Sequence, residues 1–259
     1  MNPFEKIKRK IDVKIHDKLP KKWKKIGNIV ILNLEGISEN KKRNIAEIYA
    51  NELNAKTIIQ KSRIKGELRK PDEIELLYGE ETETEINEYG ISYKLDLKEI
   101  MWSPGNMGWR SALKGPKKVK DFYTFDNPKV IVDYFAGIGY FALQMAKSYP
   151  ETKVIAIDKN PKSIEYLTRN VVNNSIENVE IVNDDCRNVN IKADVVHLGY
   201  IGNTIDFLEH SHDNLNDNGI VIFHEAYRNS WLGFKSRSNW GSTSINFAEL
   251  METKGFNVE

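Results

Sequence analysis

The 259-residue sequence predicts an α/β fold, a mostly parallel β-sheet with helices on both faces, preceded by a small α+β domain. From Lys129 onward, β-branched runs alternate with amphipathic segments, as is typical of a parallel sheet with crossover helices. Before residue 98 the apolar runs are short, and only one has helical spacing. We therefore expect residues 1–97 to form the small domain and residues 98–259 the larger one.

The first half of the chain is predicted to contain one helix among several strands. Residues 26–35 (IGNIVILNLE) form an apolar run with turn residues around it, which indicates a buried strand. Residues 38–53 have apolar side chains at helical spacing, and Ser38 can cap the helix that they predict. Four short strands are predicted to follow, TIIQK at 57–61, EIELLYG at 73–79, TEINEYG at 84–90 and ISYKLDL at 91–97.

The second half is predicted to contain five strands separated by helices. Its first strand, in KVIVDYFAGIGYF, ends at Asp133 and a glycine turn, and FALQMAKSYP follows as a helix. The later segments are the strand TKVIAIDKNP (152–161), the helix SIEYLTRNVVNNS, the strands ENVEIVNDDC (177–186) and ADVVHLGY, the helix TIDFLEHSHDNL and the strand GIVIFHEAY (219–227).

Charge and cysteine content limit the classes of protein. The 38 basic and 37 acidic residues nearly cancel, so the net charge of +1 indicates no particular partner. Basic residues nevertheless cluster in the first 26 residues and at 114–120 (KGPKKVK). Such patches suit a phosphate-backbone binder, and a solvated surface explains them equally well from charge alone.

The single cysteine, Cys186, excludes a disulfide framework within the chain and a multi-thiolate zinc site, so no metal is expected. This favours a reducing, cytoplasmic setting. No apolar run approaches 18 residues and the N-terminus lacks an apolar signal core, so we expect no membrane association.

The carboxyl ends of the strands in the larger domain carry the candidate binding residues, since ligands of parallel α/β sheets bind there. Gly137 and Gly139 follow the first strand in a G-x-G turn, where the backbone can approach a ligand closely. Asp158 ends the second strand about 20 residues later, where a carboxylate can accept hydrogen bonds from ribose hydroxyls. The third strand ends at Asp184-Asp185-Cys186, where an acid can accept from an adenine amino group while a neighbouring backbone N–H meets a ring nitrogen. The glycine turn and the two acidic strand ends together point to S-adenosylmethionine. NAD is disfavoured because the sequence lacks the third glycine of the dinucleotide-binding fingerprint.

Other candidates carry a weaker signal. His197 and His224 lie at strand ends, where a histidine is more often a satisfied polar residue than a catalyst. The Cys186 side chain is expected to pack as a small apolar group, because no partner base is predictable. Among the aromatic residues, those on predicted loops are expected to stack on a nucleic-acid base, namely Trp102, Trp109 and Tyr200.

The motifs VDYFAGIGYF, IAIDKNP, NDDCRNV, MWSPGN and LYGEETETEINEYG resemble the Trm5/TYW2 family, over most of the chain from about Ile26 onward. The resemblance implies a Rossmann-like class I S-adenosylmethionine-dependent transferase domain. Methyltransferase relatives carry Asn-Pro-Pro-type residues after the fourth strand, whereas members that act in wybutosine synthesis carry x-Gly-Tyr, as Leu198-Gly199-Tyr200 do here.

This likeness implies transfer of the 3-amino-3-carboxypropyl group of S-adenosylmethionine to C7 of 4-demethylwyosine at position 37 of tRNA(Phe). Two alternatives stay open, a tRNA (guanine-37-N1) methyltransferase and a non-catalytic RNA-binding relative. The implied partner is the anticodon loop of tRNA(Phe), met by the small domain, and we expect a monomer. The lysines at 6–10, 21–25 and 114–120 are the candidate phosphate contacts.

The resemblance also assigns site residues. Arg110 and Tyr200 are the candidate catalytic residues, and Arg110 can grip a carboxylate or balance charge near the base. The residues expected to bind the cofactor are Ser103, Arg110, Phe135, Ala136, Gly137, Gly139, Asp158, Asp185 and Cys186.

The chain departs from the family pattern at three places. It reads Trp109-Arg110 where relatives usually read Glu-Arg, and Asp158 where they often carry Glu. It also stops at GFNVE, where relatives continue for a further strand pair, so that a trimmed sheet is expected to have a bare edge.

Overall fold

A computed structural model describes residues 2–60, 62–102, 125–200 and 204–224. The first part of the chain folds around a small mixed sheet. In chain order its elements are α1 (Pro3–Arg9), a 3-10 helix (Val13–Lys18), β1 (Lys24–Ile26), β2 (Ile29–Leu32), α2 (Glu39–Leu53), β3 (Thr57–Gln60), β4 (Ile64–Lys65), β5 (Lys70–Pro71), β6 (Leu76–Tyr78), β7 (Glu83–Glu88) and β8 (Ile91–Asp96).

The small sheet has the order β1-β2-β3-β6, with β2 and β3 parallel and the two outer pairs antiparallel. One face packs against α1 and α2 and buries Leu32, Tyr49 and Ile58 in a common cluster. Side chains on the other face, including Ile29 and Ile59, join the core of the larger sheet. The two faces of the sheet therefore serve two different cores, because successive side chains of a strand point to opposite sides.

The second part of the chain forms a larger sheet with crossover helices. Its elements are β9 (Val130–Asp133), α3 (Ala142–Ser148), β10 (Lys153–Ile157), α4 (Pro161–Asn173), β11 (Val179–Val182), a 3-10 helix (Cys186–Asn188), β12 (Ala193–Leu198), a 3-10 helix (Thr204–Phe207), α5 (Leu208–Asp213) and β13 (Leu215–Phe223).

The larger sheet has the order β11-β10-β9-β12-β13, and all four strand pairs are parallel. The predicted parallel sheet with crossover helices is confirmed. The chain winds outward from β9 to β11 and then returns to the other side of β9 as β12. This reversal of strand order makes the crevice at the carboxyl ends of β9 and β12 the expected ligand site.

Two asparagines attach the β7–β8 hairpin to the second part of the chain, Asn170 on α4 and Asn174 at its C-terminal cap. The Asn170 side chain accepts from the Lys94 N–H at 2.8 Å and donates to the Lys94 carbonyl at 3.3 Å. Asn174, one turn later, makes the same pair of bonds with Ser92, at 2.8 and 2.7 Å. Side-chain amides therefore satisfy backbone N–H and C=O groups on the free edge of β8, so this edge is not available there for pairing with another strand. The domain boundary between residues 97 and 98 stays a prediction.

Several element bounds differ from the sequence-based expectation. The basic N-terminus contains α1, which begins behind an Asn2 cap and buries Phe4 and Ile7. The last strand, β13, begins at Leu215 rather than at residue 219. None of the helices within the described ranges is long and apolar enough to cross a membrane.

Candidate active site

A cavity lies at the carboxyl ends of the larger sheet, and three parts of the chain line it. The strand ends contribute most of the predicted residues. The β4–β5 hairpin adds its tip, residues 67–69, and the segment after β8 adds residues 99–101. The predicted site residues that line the cavity are Phe135, Gly137, Asp158, Asp185, Cys186 and Tyr200.

The glycine turn after β9 is shaped by two different constraints. Gly137 has φ +56° and its N–H donates to Asp158 Oδ2 at 2.7 Å, so the turn is fixed to the end of β10. Gly139 has φ +96°, and a Cβ there would lie 2.5 Å from Leu143 Cγ. Gly139 therefore permits close packing of the turn on α3. Ala136 is buried and donates its N–H to the Ile157 carbonyl at 2.9 Å, so it too supports the turn from behind.

Asp158 is the carboxylate at the centre of the cavity. Its Oδ2 accepts from Gly137, and its Oδ1 accepts from the Asn160 N–H at 2.8 Å. Burial raises the pKa of Asp158 to about 6, although the two backbone N–H groups favour its charged form. A carboxylate has about four acceptor positions, so the oxygens can still accept hydrogen bonds from a ligand.

Asp185 and Cys186 form the opposite end of the cavity. Arg187 binds Asp185 in a fork, with Nε 2.8 Å from Oδ1 and Nη2 2.6 Å from Oδ2. These bonds lower the pKa of Asp185 to about 2, so it is a fixed negative charge. The Cys186 thiol is buried, which raises its pKa to about 12. A thiol in that state is not a nucleophile, in line with the packing role expected from sequence.

Aromatic rings form one wall of the cavity. The Phe135 ring centroid lies 4.9 Å from that of Tyr200 and 4.8 Å from that of Phe207, which sequence reasoning missed. Trp102, predicted to stack on a base, is instead buried in the core with its ring 5.6 Å from Tyr93 and 5.5 Å from Tyr140. Trp102 also does not line the cavity at the strand ends.

The tip of the β4–β5 hairpin closes the cavity from the side of the small sheet. Glu67 forms an ion pair with Lys159, and its carbonyl accepts from the Tyr200 hydroxyl at 3.3 Å. Arg69 lines the cavity with a positive φ of 52°, and its buried Nε has no hydrogen-bond partner within the described residues. Sequence reasoning missed these residues, since nothing in IKGELRK shows that the hairpin reaches the other sheet.

Several of the residues predicted from sequence to bind cofactor or tRNA lie outside the part of the chain that the structure describes. Ser103, Trp109, Arg110 and the basic stretch 114–120 fall outside the described residues. Across the described ranges, no group of His, Cys, Asp and Glu side chains is arranged to hold a metal ion.

The parallel sheet, the glycine turn and the carboxylate at the end of β10 define a Rossmann-like domain of the class I S-adenosylmethionine-dependent transferases. Residues 84–238 match the TRM5/TYW2 methyltransferase domain, and residues 4–82 match the TYW2 N-terminal domain. The chain belongs to the TRM5/TYW2 family.

Two archaeal relatives and one solved structure define the likeness further. The chain is 38% identical over 212 residues to a tRNA(Phe) (4-demethylwyosine(37)-C(7)) aminocarboxypropyltransferase of Pyrococcus horikoshii, covering 80% of this chain and 72% of that protein. It is 39% identical over 207 residues to the protein of the same name from Methanocaldococcus jannaschii, covering 79% and 78%. The crystal structure of P. horikoshii TYW2 in complex with MeSAdo superposes with a TM-score of 0.75 and 29% identity, covering 99% of this chain and 89% of that chain.

Proposed function

We propose that the protein is a tRNA 4-demethylwyosine aminocarboxypropyltransferase. It transfers the 3-amino-3-carboxypropyl group of S-adenosylmethionine to C7 of 4-demethylwyosine at position 37 of tRNA(Phe). The observation that carries this proposal is the end of β12. There the cavity wall is formed by Gly199 and Tyr200, where methyltransferase relatives carry Asn-Pro-Pro-type residues. The two archaeal relatives of that name support it across about four-fifths of the chain.

The strand ends supply the groups that would hold the adenosine half of the cosubstrate. Gly137 lets the backbone approach the ligand, and Asp158 accepts from the ribose hydroxyls. Asp185 accepts from the adenine amino group through the lone pairs that Arg187 leaves unused. The Phe135 and Tyr200 rings then stand against the remaining arm.

S-adenosylmethionine supplies a sulfonium whose γ-carbon is electrophilic and whose thioether leaves readily. The task of the protein is therefore orientation, which can supply roughly 7–11 kcal/mol in ideal cases. Arg69 is suited to that task, because this half-buried residue lines the cavity and its side chain pairs with no acidic side chain within the described residues. A guanidinium in that setting binds a carboxylate or carbonyl oxygen of the reactants. Arg110 remains a proposed second contact.

The tRNA is proposed to meet the small domain through its lysines. Lys10 pairs with Glu52 at 2.6 Å, and Lys25 donates to the carbonyl of Leu53 at 2.7 Å, so both are already engaged. Three exposed lysines near β1 pair with no acid within the described ranges and are the better candidates for phosphate contacts, namely Lys21, Lys22 and Lys24. We further propose that the enzyme acts as a monomer on the anticodon loop, in the cytoplasm.

Analysis of the small-molecule product tests the reaction. The protein is incubated with S-adenosylmethionine and, in separate reactions, tRNA(Phe) that carries 4-demethylwyosine or unmodified guanine at position 37, and the adenosine products of the cosubstrate are separated by chromatography. Methylthioadenosine is expected. S-adenosylhomocysteine would identify a methyltransferase instead. No product, together with no S-adenosylmethionine binding by calorimetry, would identify a non-catalytic RNA-binding relative.

A further inference from the structure

A buried hydrogen-bonded pair of polar side chains lies directly beneath the cavity wall. Asp133 and His197 are both fully buried, and His197 Nδ1 lies 3.0 Å from Asp133 Oδ1. They face each other across the adjacent strands β9 and β12. Neither residue lines the cavity. Because a carboxylate only accepts hydrogen bonds, the histidine donates its Nδ1–H.

We propose that Asp133 and His197 form a positioning pair that sets the placement of Phe135 and Tyr200, and through these rings the alignment of the transferred arm. This inference rests on the proposed function. It assigns a role in the reaction to a histidine that the sequence alone classifies as a satisfied polar residue.

The turn after β9 is bonded to both members of the pair. The Phe135 N–H donates back to Asp133 Oδ1 at 3.3 Å, the same oxygen that His197 binds. The Tyr134 N–H donates to the His197 carbonyl at 3.1 Å. The backbone that carries Phe135 is therefore bonded to β12 directly at Tyr134, and at Phe135 it is bonded to the Asp133 oxygen that binds His197, so its path depends on where the pair sits.

The turn after β12 passes close to the His197 ring. A Cβ at Gly199 would lie 2.9 Å from His197 Cε1 and 3.5 Å from its Nδ1, so the chain turns directly over the imidazole ring. Only a glycine fits at that distance without displacing the ring. Tyr200 follows at once, and its ring packs on Phe135. The position of the His197 ring therefore sets the start of the segment that carries Tyr200.

Burying the Asp133–His197 pair has a cost in folding free energy. Buried polar pairs can often be replaced by apolar residues of similar volume with no loss of stability. Asp133 Oδ2 is also buried without a hydrogen-bond partner within the described residues, which adds a desolvation penalty. Packing of the His197 ring against Phe141, at 4.4 Å between centroids, would be met equally well by an apolar side chain. A polar pair that carries this desolvation penalty is better explained by its effect on the placement of Phe135 and Tyr200 than by a contribution to folding stability.

Two substitutions at His197 separate placement from packing. His197→Asn puts an amide N–H where Nδ1–H lies but loses ring volume, whereas His197→Leu keeps volume and loses the donor. We expect His197→Leu to lower kcat by about 100-fold, since a 1 Å misplacement can cost that much, while His197→Asn stays near the wild-type kcat. The matched control is His212→Leu on α5, at an exposed position, with no change expected. The reverse order, with Leu active and Asn inactive, would overturn the proposal.

A double-mutant cycle and a binding measurement keep the test decisive if one variant folds poorly. Gly199→Ala should lower kcat more in the wild-type background than in His197→Asn, whose smaller side chain leaves room for the methyl group. Additive effects would contradict direct coupling. Calorimetric affinity for S-adenosylmethionine is measured on every variant, with thermal unfolding as the folding control. If the wild type binds S-adenosylmethionine but transfers nothing, the proposed function fails. The role of the pair is then judged from affinity: His197→Leu should bind S-adenosylmethionine more weakly than His197→Asn, and the reverse order would overturn the proposal.

Discussion

Replacing Asp158 is the sharpest perturbation of the proposed cosubstrate site. Both carboxylate oxygens accept backbone N–H groups, from Gly137 at 2.7 Å and from Asn160 at 2.8 Å, and the carboxylate also lines the cavity. Asp158→Ala removes the acceptor for the ribose hydroxyls. Hydrogen bonds to charged groups are worth about 1.5–3 kcal/mol, so the dissociation constant for S-adenosylmethionine should rise roughly 10- to 150-fold.

Calorimetric titration with S-adenosylmethionine measures this effect. The matched control is Asp194→Ala, because Asp194 also accepts two backbone N–H groups, from Lys129 at 2.6 Å and Val130 at 3.0 Å, but does not line the cavity. We expect the control to lower the melting temperature without changing affinity. Unchanged affinity in Asp158→Ala would refute the placement of the ribose. Equal loss in both variants would show that the effect is on folding rather than on binding.

Three further predictions concern the Asp158 carboxyl, Arg69 and the exposed lysines near β1. The raised pKa of Asp158, about 6, means that the free carboxyl is protonated at low pH, so affinity for S-adenosylmethionine should weaken roughly tenfold per pH unit below 6; a flat profile from pH 5 to 8 would contradict this. Arg69→Ala should raise the KM for S-adenosylmethionine or for tRNA about tenfold with an unchanged melting temperature, and unchanged values of both would remove Arg69 from the site. Replacing Lys21, Lys22 and Lys24 together by Ala should reduce the slope of log affinity for tRNA against log salt by about 2–3; an unaltered slope would show that these lysines do not contact phosphate.

The larger sheet was predictable because each of its strands has a local signal. β9 ends in an acid and is followed by a glycine turn, and an acid follows β10, so the two strands and the position of Asp158 can be derived from sequence, whereas the order of the strands in the sheet was not predicted. Local patterns also gave α2, whose apolar residues recur at helical spacing.

The parts that sequence reasoning missed depend on contacts between distant segments. Arg69 reaches the cavity only because the short β4–β5 hairpin folds against the carboxyl ends of the larger sheet, and no local period encodes that contact. Trp102 lies outside the helices and strands, as predicted, yet it is buried because Tyr93 and Tyr140, which lie 9 and 38 positions away in the sequence, pack against it. The N-terminal α1 was hidden because only Phe4 and Ile7 among its basic neighbours face the core.

The proposed aminocarboxypropyl transfer is tested most directly by identifying which carbon of S-adenosylmethionine reaches the tRNA. The protein is incubated with hypomodified tRNA(Phe) and cosubstrate labelled separately in the methyl carbon and in the aminocarboxypropyl carbons, and the tRNA is then digested to nucleosides. The account predicts label from the aminocarboxypropyl carbons in the nucleoside from position 37 and none from the methyl carbon. Methyl label in that nucleoside would contradict it.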